Sequence, residues 1–157
     1  MTKAKNKRFL REVIISTIMH STEDEDKVRK AMLHVIPESL REKVIDKISI
    51  AASRGFHGNE IRFLQLLIRG KEAEEVFARI LCNLDDTNRA ILSDTLDERI
   101  DGSGNLYLRL GKQEAYLGKL VLLDGDDSLR IVFKPKYNEK GFWPRYIKSI
   151  FEERCRS

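Results

Sequence analysis

The chain has little of what builds a site by itself. Of its 157 residues, two are cysteine, three histidine, three proline and one tryptophan. Cys82 and Cys155 give no disulfide framework, so a reducing, cytoplasmic compartment is expected. Cys82 falls within an amphipathic pattern and reads as a packed small side chain. His20, His34 and His57 stand far apart, and neither cysteine completes a metal-ligand spacing with them. A metal site is therefore not expected. Phosphate-cradling glycine motifs are missing, as is the Gly-x-Ser-x-Gly of a nucleophile elbow. No catalytic apparatus and no cofactor are expected. Apolar runs stay short of the roughly 18 residues a membrane span needs. At the start, Ser16, Thr17, His20 and the acids from Glu23 to Asp26 interrupt the apolar run, so it does not read as a signal peptide.

What is present is a globular composition: 41% hydrophobic, 34% charged, with a formal net charge of +4. That length suits a single domain over 1–157, with residues 1–8 a flexible basic tail. Val13 to Met19 is β-branched and apolar, as a strand requires. Ser21 or Thr22 is placed to cap the next helix, whose apolar face carries Val28, Met32, Val35 and Ile36. Pro37 opens a further helical turn through Lys43. Strands are expected at Ile45–Ala52 and Ile61–Ile68, joined by the loop Gly55–Asn59. Helices follow at Ala73–Leu84 and around Ile91–Leu96. Three short strands come next, at Leu106–Leu110, Gly118–Leu123 and Leu129–Lys134, with the tight turn Asp124–Asp127 before the last. Phe142, Trp143, Tyr146, Ile147, Ile150 and Phe151 form a final helical stripe, either core or a partner-binding face. Strands and helices mixed without strict βαβ alternation predict an α+β, two-layer fold. Its helices would pack on one face of a mixed, largely antiparallel sheet.

Function has to come from the charged and aromatic residues. In Tyr107–Tyr116 the leucines point inward, which leaves Tyr107 and Arg109 sharing the other side, a short run from Lys112, Gln113 and Tyr116. Aromatic rings offer stacking to bases, and Arg and Lys offer contacts to phosphates. The alternative is a strand whose second side is only solvated, or covered by a helix. Gly55-Phe56-His57-Gly58 has the shape of a GxxG loop, yet its flanks read as strands, and an ordinary strand connection accounts for it. Lys3, Lys5, Lys7, Arg8 and Arg11 either neutralise phosphates or form a solvated tail.

These pieces together resemble a known family. His20-Ser21-Thr22-Glu23-Asp24 precedes a helix with Lys27-Val28. Gly55-Phe56-His57-Gly58-Asn59, Arg99-Ile100-Asp101 and the long Leu106-to-Gly118 segment around Lys112-Gln113 follow. The chain is similar, from about residue 10 to about residue 134, to an archaeal family of predicted exosome-associated RNA-binding proteins. That resemblance implies a fold similar to the ribosomal protein that binds 5S ribosomal RNA, with no catalytic residues to carry over. The expected function is a non-catalytic RNA-binding module, an accessory of RNA processing or degradation. Arg109, Lys112, Lys119, Arg54 and the N-terminal lysines would hold phosphates. Tyr107, Gln113 and Tyr116 would contact bases or sugars, with His57 and Asn59 adding hydrogen bonds from their loop. The alternative is a protein-interaction subunit of an RNA-processing assembly that does not touch RNA. Partners are thus RNA or RNA-processing proteins, with no membrane.

Overall fold

In the computed structural model, residues 8–54 and 60–155 are described. Strand β1 (Leu10–His20) is followed by helices α1 (Glu25–His34) and α2 (Glu38–Val44). Strands β2 (Ser49–Arg54) and β3 (Glu60–Arg69) come next, then helices α3 (Lys71–Asn83) and α4 (Asp86–Thr95). Strand β4 (Leu106–Gly111), helix α5 (Lys112–Tyr116), strand β5 (Ser128–Pro135) and helix α6 (Phe142–Glu153) complete the described order. The five strands form one sheet in the order β2-β3-β1-β5-β4. All four pairings are antiparallel. The fold is α+β, with the helices on one face of that sheet.

Alternation along each strand creates the two layers. Val13 and Ile15 of β1, Leu64, Leu66 and Ile68 of β3, Leu106, Leu108 and Leu110 of β4, and Leu129, Ile131 and Phe133 of β5 are all buried under helices. Helix α3 supplies Val76, Phe77, Ile80 and Leu81 against them. Phe77 meets Phe133 edge-on at 4.8 Å and stacks on Tyr146 of α6 at 5.2 Å. The α6 stripe is therefore core: Phe142, Trp143, Tyr146, Ile147 and Ile150 are buried, and Trp143 Nε1 donates to the Gly104 carbonyl at 2.8 Å. Pro144 falls in the first turn of α6, where its missing N–H costs nothing.

Several expectations need correcting. Asp24, not Ser21 or Thr22, caps α1, accepting from the Asp26 N–H at 2.9 Å. Residues Ile45–Lys47 form a 3-10 turn, and the strand expected from Ile45 begins at Ser49. Gly118–Leu123 is not a strand. The preceding residues coil into α5, Gly118 turns back at φ +87°, and only Leu122 forms a bridge, to Leu110. The hairpin partner of β5 is β4, not the segment before the turn. Finally, Cys82 and Cys155 are joined by a disulfide with Cα atoms 5.0 Å apart, tying the chain just beyond α6 to α3. Two cysteines separated by 73 residues in sequence carry no sign of that proximity. Among the described residues, no helix is long and apolar enough to cross a membrane.

Candidate nucleic-acid interface

Among the described residues, no helix lies over the other side of these strands. The register lays the residues there out in rows across the sheet. One row runs Arg69, Glu12, Lys134. The next runs Leu67, Ile14, Val132, Tyr107, and the third Gln65, Ser16, Arg130, Arg109. At the far end Phe63 stands opposite Ile18. Ile18 is 46% exposed, Phe63 40% and Leu67 39%. Large apolar side chains open to this degree, interleaved with cations, are unusual on a face that serves only to be solvated.

Charge on this face is unevenly spent. Glu12 is shared by Arg69 at 3.7 Å and Lys134 at 3.5 Å. Arg109 and Arg130 stand directly opposite each other in the β4–β5 register. Neither forms an ion pair among the described residues. Like charges in that position cost a few tenths of a kcal/mol or more. Neutral contacts hold both guanidinium groups in place. Arg109 donates to Ser128 Oγ at 3.3 Å, and Arg130 lies over the Tyr107 ring at 5.1 Å from its centroid. Tyr107 is itself fixed, its hydroxyl donating to Asp101 at 2.8 Å. That bond, with some burial and the Asp101 charge, raises the Tyr107 pKa, so the phenol stays protonated. Burial works against the Asp101 carboxylate, but hydrogen bonds from the Asn105 N–H and amide, Tyr107 and the Ser103 N–H outweigh it and lower its pKa.

Between the end of β1 and the loop before β5 the face sinks into a hollow of about 410 Å³. Ile18, Ile61 and Phe63 line one side of it, and Arg109, Arg130 and Ser128 the other. Ser16, Thr17, His20 and the carboxylate of Asp126 complete the lining.

The residues singled out from sequence divide accordingly. Tyr107 and Arg109 come together on the open face. Lys112 does not: it is 3% exposed. Its Nζ donates to the Ile18 carbonyl at 2.7 Å and to both Glu23 carboxylate oxygens at 3.1 and 3.2 Å, with Asp127 at 3.7 Å. As the first residue of α5, it turns inward beneath the end of β1 and acts as a strut, not a surface cation. Gln113 reaches Asp127 at 3.3 Å. Tyr116 lies under Lys27 and Lys30 of α1, in the helical layer. Lys119 is exposed in the turn after α5. His57, Asn59 and the lysines at positions 3, 5 and 7 lie outside the described residues, as does the side chain of Arg54. Sequence reasoning does not reach Arg130, Phe63 or Ile18. A signal for Arg130 exists, since it alternates with buried Leu129 and Ile131 just as Arg109 does with Leu108 and Leu110.

Comparison with known proteins extends this picture. A family model described as RNA binding matches residues 12–135. An uncharacterized protein of Methanocaldococcus jannaschii is 39% identical over 139 residues, covering 87% of this chain and 89% of the relative. An RNA-binding protein of Pyrococcus abyssi is 30% identical over 123 residues, covering 78% of this chain and 79% of the relative. Among solved structures, a protein of Sulfolobus solfataricus superposes with a TM-score of 0.73 at 27% identity, covering 90% of this chain and 98% of that one.

Proposed function

We propose that this chain, which belongs to the RNA-binding family, holds RNA on the open face of its sheet as a non-catalytic module. The observation that carries the reading is the opposed pair Arg109 and Arg130. Two guanidinium groups face each other there, with no carboxylate in an ion pair to either among the described residues, which is an arrangement an incoming phosphate relieves. Tyr107 preorganises Arg130 for that contact, and Phe63 offers a ring for stacking. Lys119 and Gln113 are further candidate contacts at the margin of such a site, as are His57 and Asn59, which lie outside the described residues. The cellular role we favour is an accessory of RNA processing or degradation in the cytoplasm, in keeping with the exosome-associated family that the sequence resembles. A rival use of the α6 stripe as a protein-docking face has little support, because that stripe is buried.

Fluorescence anisotropy with short labelled RNAs across a salt series tests the reading. Arg109→Ala with Arg130→Ala should weaken binding at least tenfold and reduce the slope of log K against log salt by roughly 0.7, the share of the one single-strand phosphate that the pair no longer neutralises. Arg145→Ala with Lys148→Ala removes the same charge from exposed positions on α6 and should change affinity much less. Equal binding by wild type and the Arg109/Arg130 variant would refute the site.

A further inference from the structure

We infer that the open face selects single-stranded RNA and seats one unstacked base in the hollow between Phe63 and the Arg109–Arg130 pair; this rests on the RNA-binding reading above. The hollow is two-sided. Ile18 and Phe63, directly opposed in the β1–β3 register, make an apolar wall. Arg109 and Arg130, directly opposed in the β4–β5 register, make a cationic wall. Ser16, 3% exposed and paired in register with Gln65 and Arg130, forms the floor between them. From β3 to β4 is three strand spacings, roughly 14 Å. A nucleotide has the same polarity on the same scale, with an apolar ring at one end and an anionic phosphate at the other.

Duplex RNA does not match this surface. Its bases are stacked and paired, and it offers phosphates and 2′-hydroxyls from a regular helix. Laid on this face, it would satisfy Arg109 and Arg130 but would cover Ile18, Phe63 and Leu67 with polar groups, burying apolar area against no apolar partner. A splayed single strand satisfies both walls. Its base lies against the Phe63 ring and the Ile18 side chain, and its flanking phosphate reaches the two guanidinium groups. The Ser16 hydroxyl and the His20 ring, from the lining of the hollow, are groups offered to a base edge, whereas the Ser128 hydroxyl already donates to the Gly125 carbonyl at 2.7 Å. Asp126 on the rim repels a second phosphate there and favours an amino-bearing edge instead. The volume, about 410 Å³, is at the lower end of the roughly 300–1,000 Å³ of small-ligand sites and suits one base better than a stacked pair.

The test compares an eight-nucleotide RNA of mixed sequence with the same sequence as a blunt duplex, using the full chain, wild type and variants, at matched salt. The expected result is single-strand binding at least tenfold tighter than duplex binding. Phe63→Ala should weaken single-strand binding roughly 5- to 150-fold, the range of one missing base–aromatic stack, with an unchanged salt slope. Phe63→Leu, which keeps the face apolar and guards against misfolding, should recover only part of that affinity. A 2-aminopurine placed within the strand should change its fluorescence on binding to wild type and not to Phe63→Ala. Duplex binding as tight as single-strand binding, or indifference to Phe63→Ala while Arg109→Ala with Arg130→Ala abolishes binding, would overturn the inference and leave the RNA-binding reading standing. No binding of either RNA would overturn both. A wild-type dimer that Phe63→Glu converts to monomer, with no gain or loss in RNA affinity, would assign the face to a second copy of the chain and overturn the inference as well.

Discussion

The two faces of the sheet are made from the same strands, one residue apart, and they do opposite work. On the helix-covered face the central cross-strand rows are apolar: Val13 with Ile68 and Phe133, Ile15 with Leu66 and Ile131. On the open face the rows mix Leu67, Ile14 and Tyr107 with Gln65, Arg130 and Arg109. The covered face is satisfied by folding. The open face is left with exposed apolar area and opposed like charges that nothing among the described residues resolves. A side chain's contribution therefore depends less on its chemistry than on which face its strand position gives it, and substitutions of the same residue type on the two faces should separate stability from binding.

The largest expected difference is between two phenylalanines. Phe77→Ala removes a ring packed on Phe133, Tyr146 and Trp143 and should cost about 3–5 kcal/mol in urea denaturation. Phe63→Ala should cost about 1 kcal/mol or less in the same assay, as for a half-exposed cross-strand pair. Similar losses at both positions would break the comparison.

Lys112 sharpens it. Lys112→Met leaves Glu23 facing an apolar side chain and the Ile18 carbonyl without its donor, and should destabilise the fold by roughly 1–3 kcal/mol. Its effect on RNA affinity should be small once the protein is folded. If instead thermal stability held and affinity fell, Lys112 would belong with the surface cations.

Arg109→Ala with Arg130→Ala should move stability by no more than about 0.5 kcal/mol, and in the stabilising direction because like charges are separated. Calorimetry alongside the binding assay checks this. The smallest effect concerns Asp101. Its folded pKa is lowered, so its contribution to stability is complete above the unfolded value of about 3.9 and is lost as pH falls through the folded pKa. The melting-temperature gap between wild type and Asp101→Asn should therefore narrow between about pH 5 and pH 2. A gap that widens on acidification would show that the Asp101–Tyr107 bond does not prefer the charged carboxylate.

How much of this is legible from the sequence follows from how local each feature is. Leu106, Leu108 and Leu110 alternate strictly, and that pattern alone places Tyr107 and Arg109 together on the outer side of β4. In β3, Phe63 and Leu67 lie among Leu64, Leu66 and Ile68, so apolar residues fall on both faces, and a periodicity argument does not single out Phe63 as an outer residue. Helix α5 is five residues long, too short for a helical period to register, and so Lys112, Gln113 and Tyr116 read from sequence as neighbours of the strand's open face. The pairing of β4 with β5, which sets Arg130 opposite Arg109, and the disulfide between Cys82 and Cys155 are contacts distant in sequence that residue patterns do not encode. Fold class rests on many repeated local choices, whereas the site depends on register, which is fixed only when the sheet forms.

The central claim is that RNA meets this protein on the uncovered side of its sheet. The most direct measurement is an NMR titration with a short single-stranded RNA that follows the guanidinium signals of Arg109 and Arg130 and the methyl groups of Ile18 and Leu67. Saturable shifts are expected at these four residues while the methyl groups of Ile147 and Ile150 on α6 stay in place. Shifts confined to α6 or to the α1–α5 side, with Arg109 and Arg130 unmoved, would contradict it.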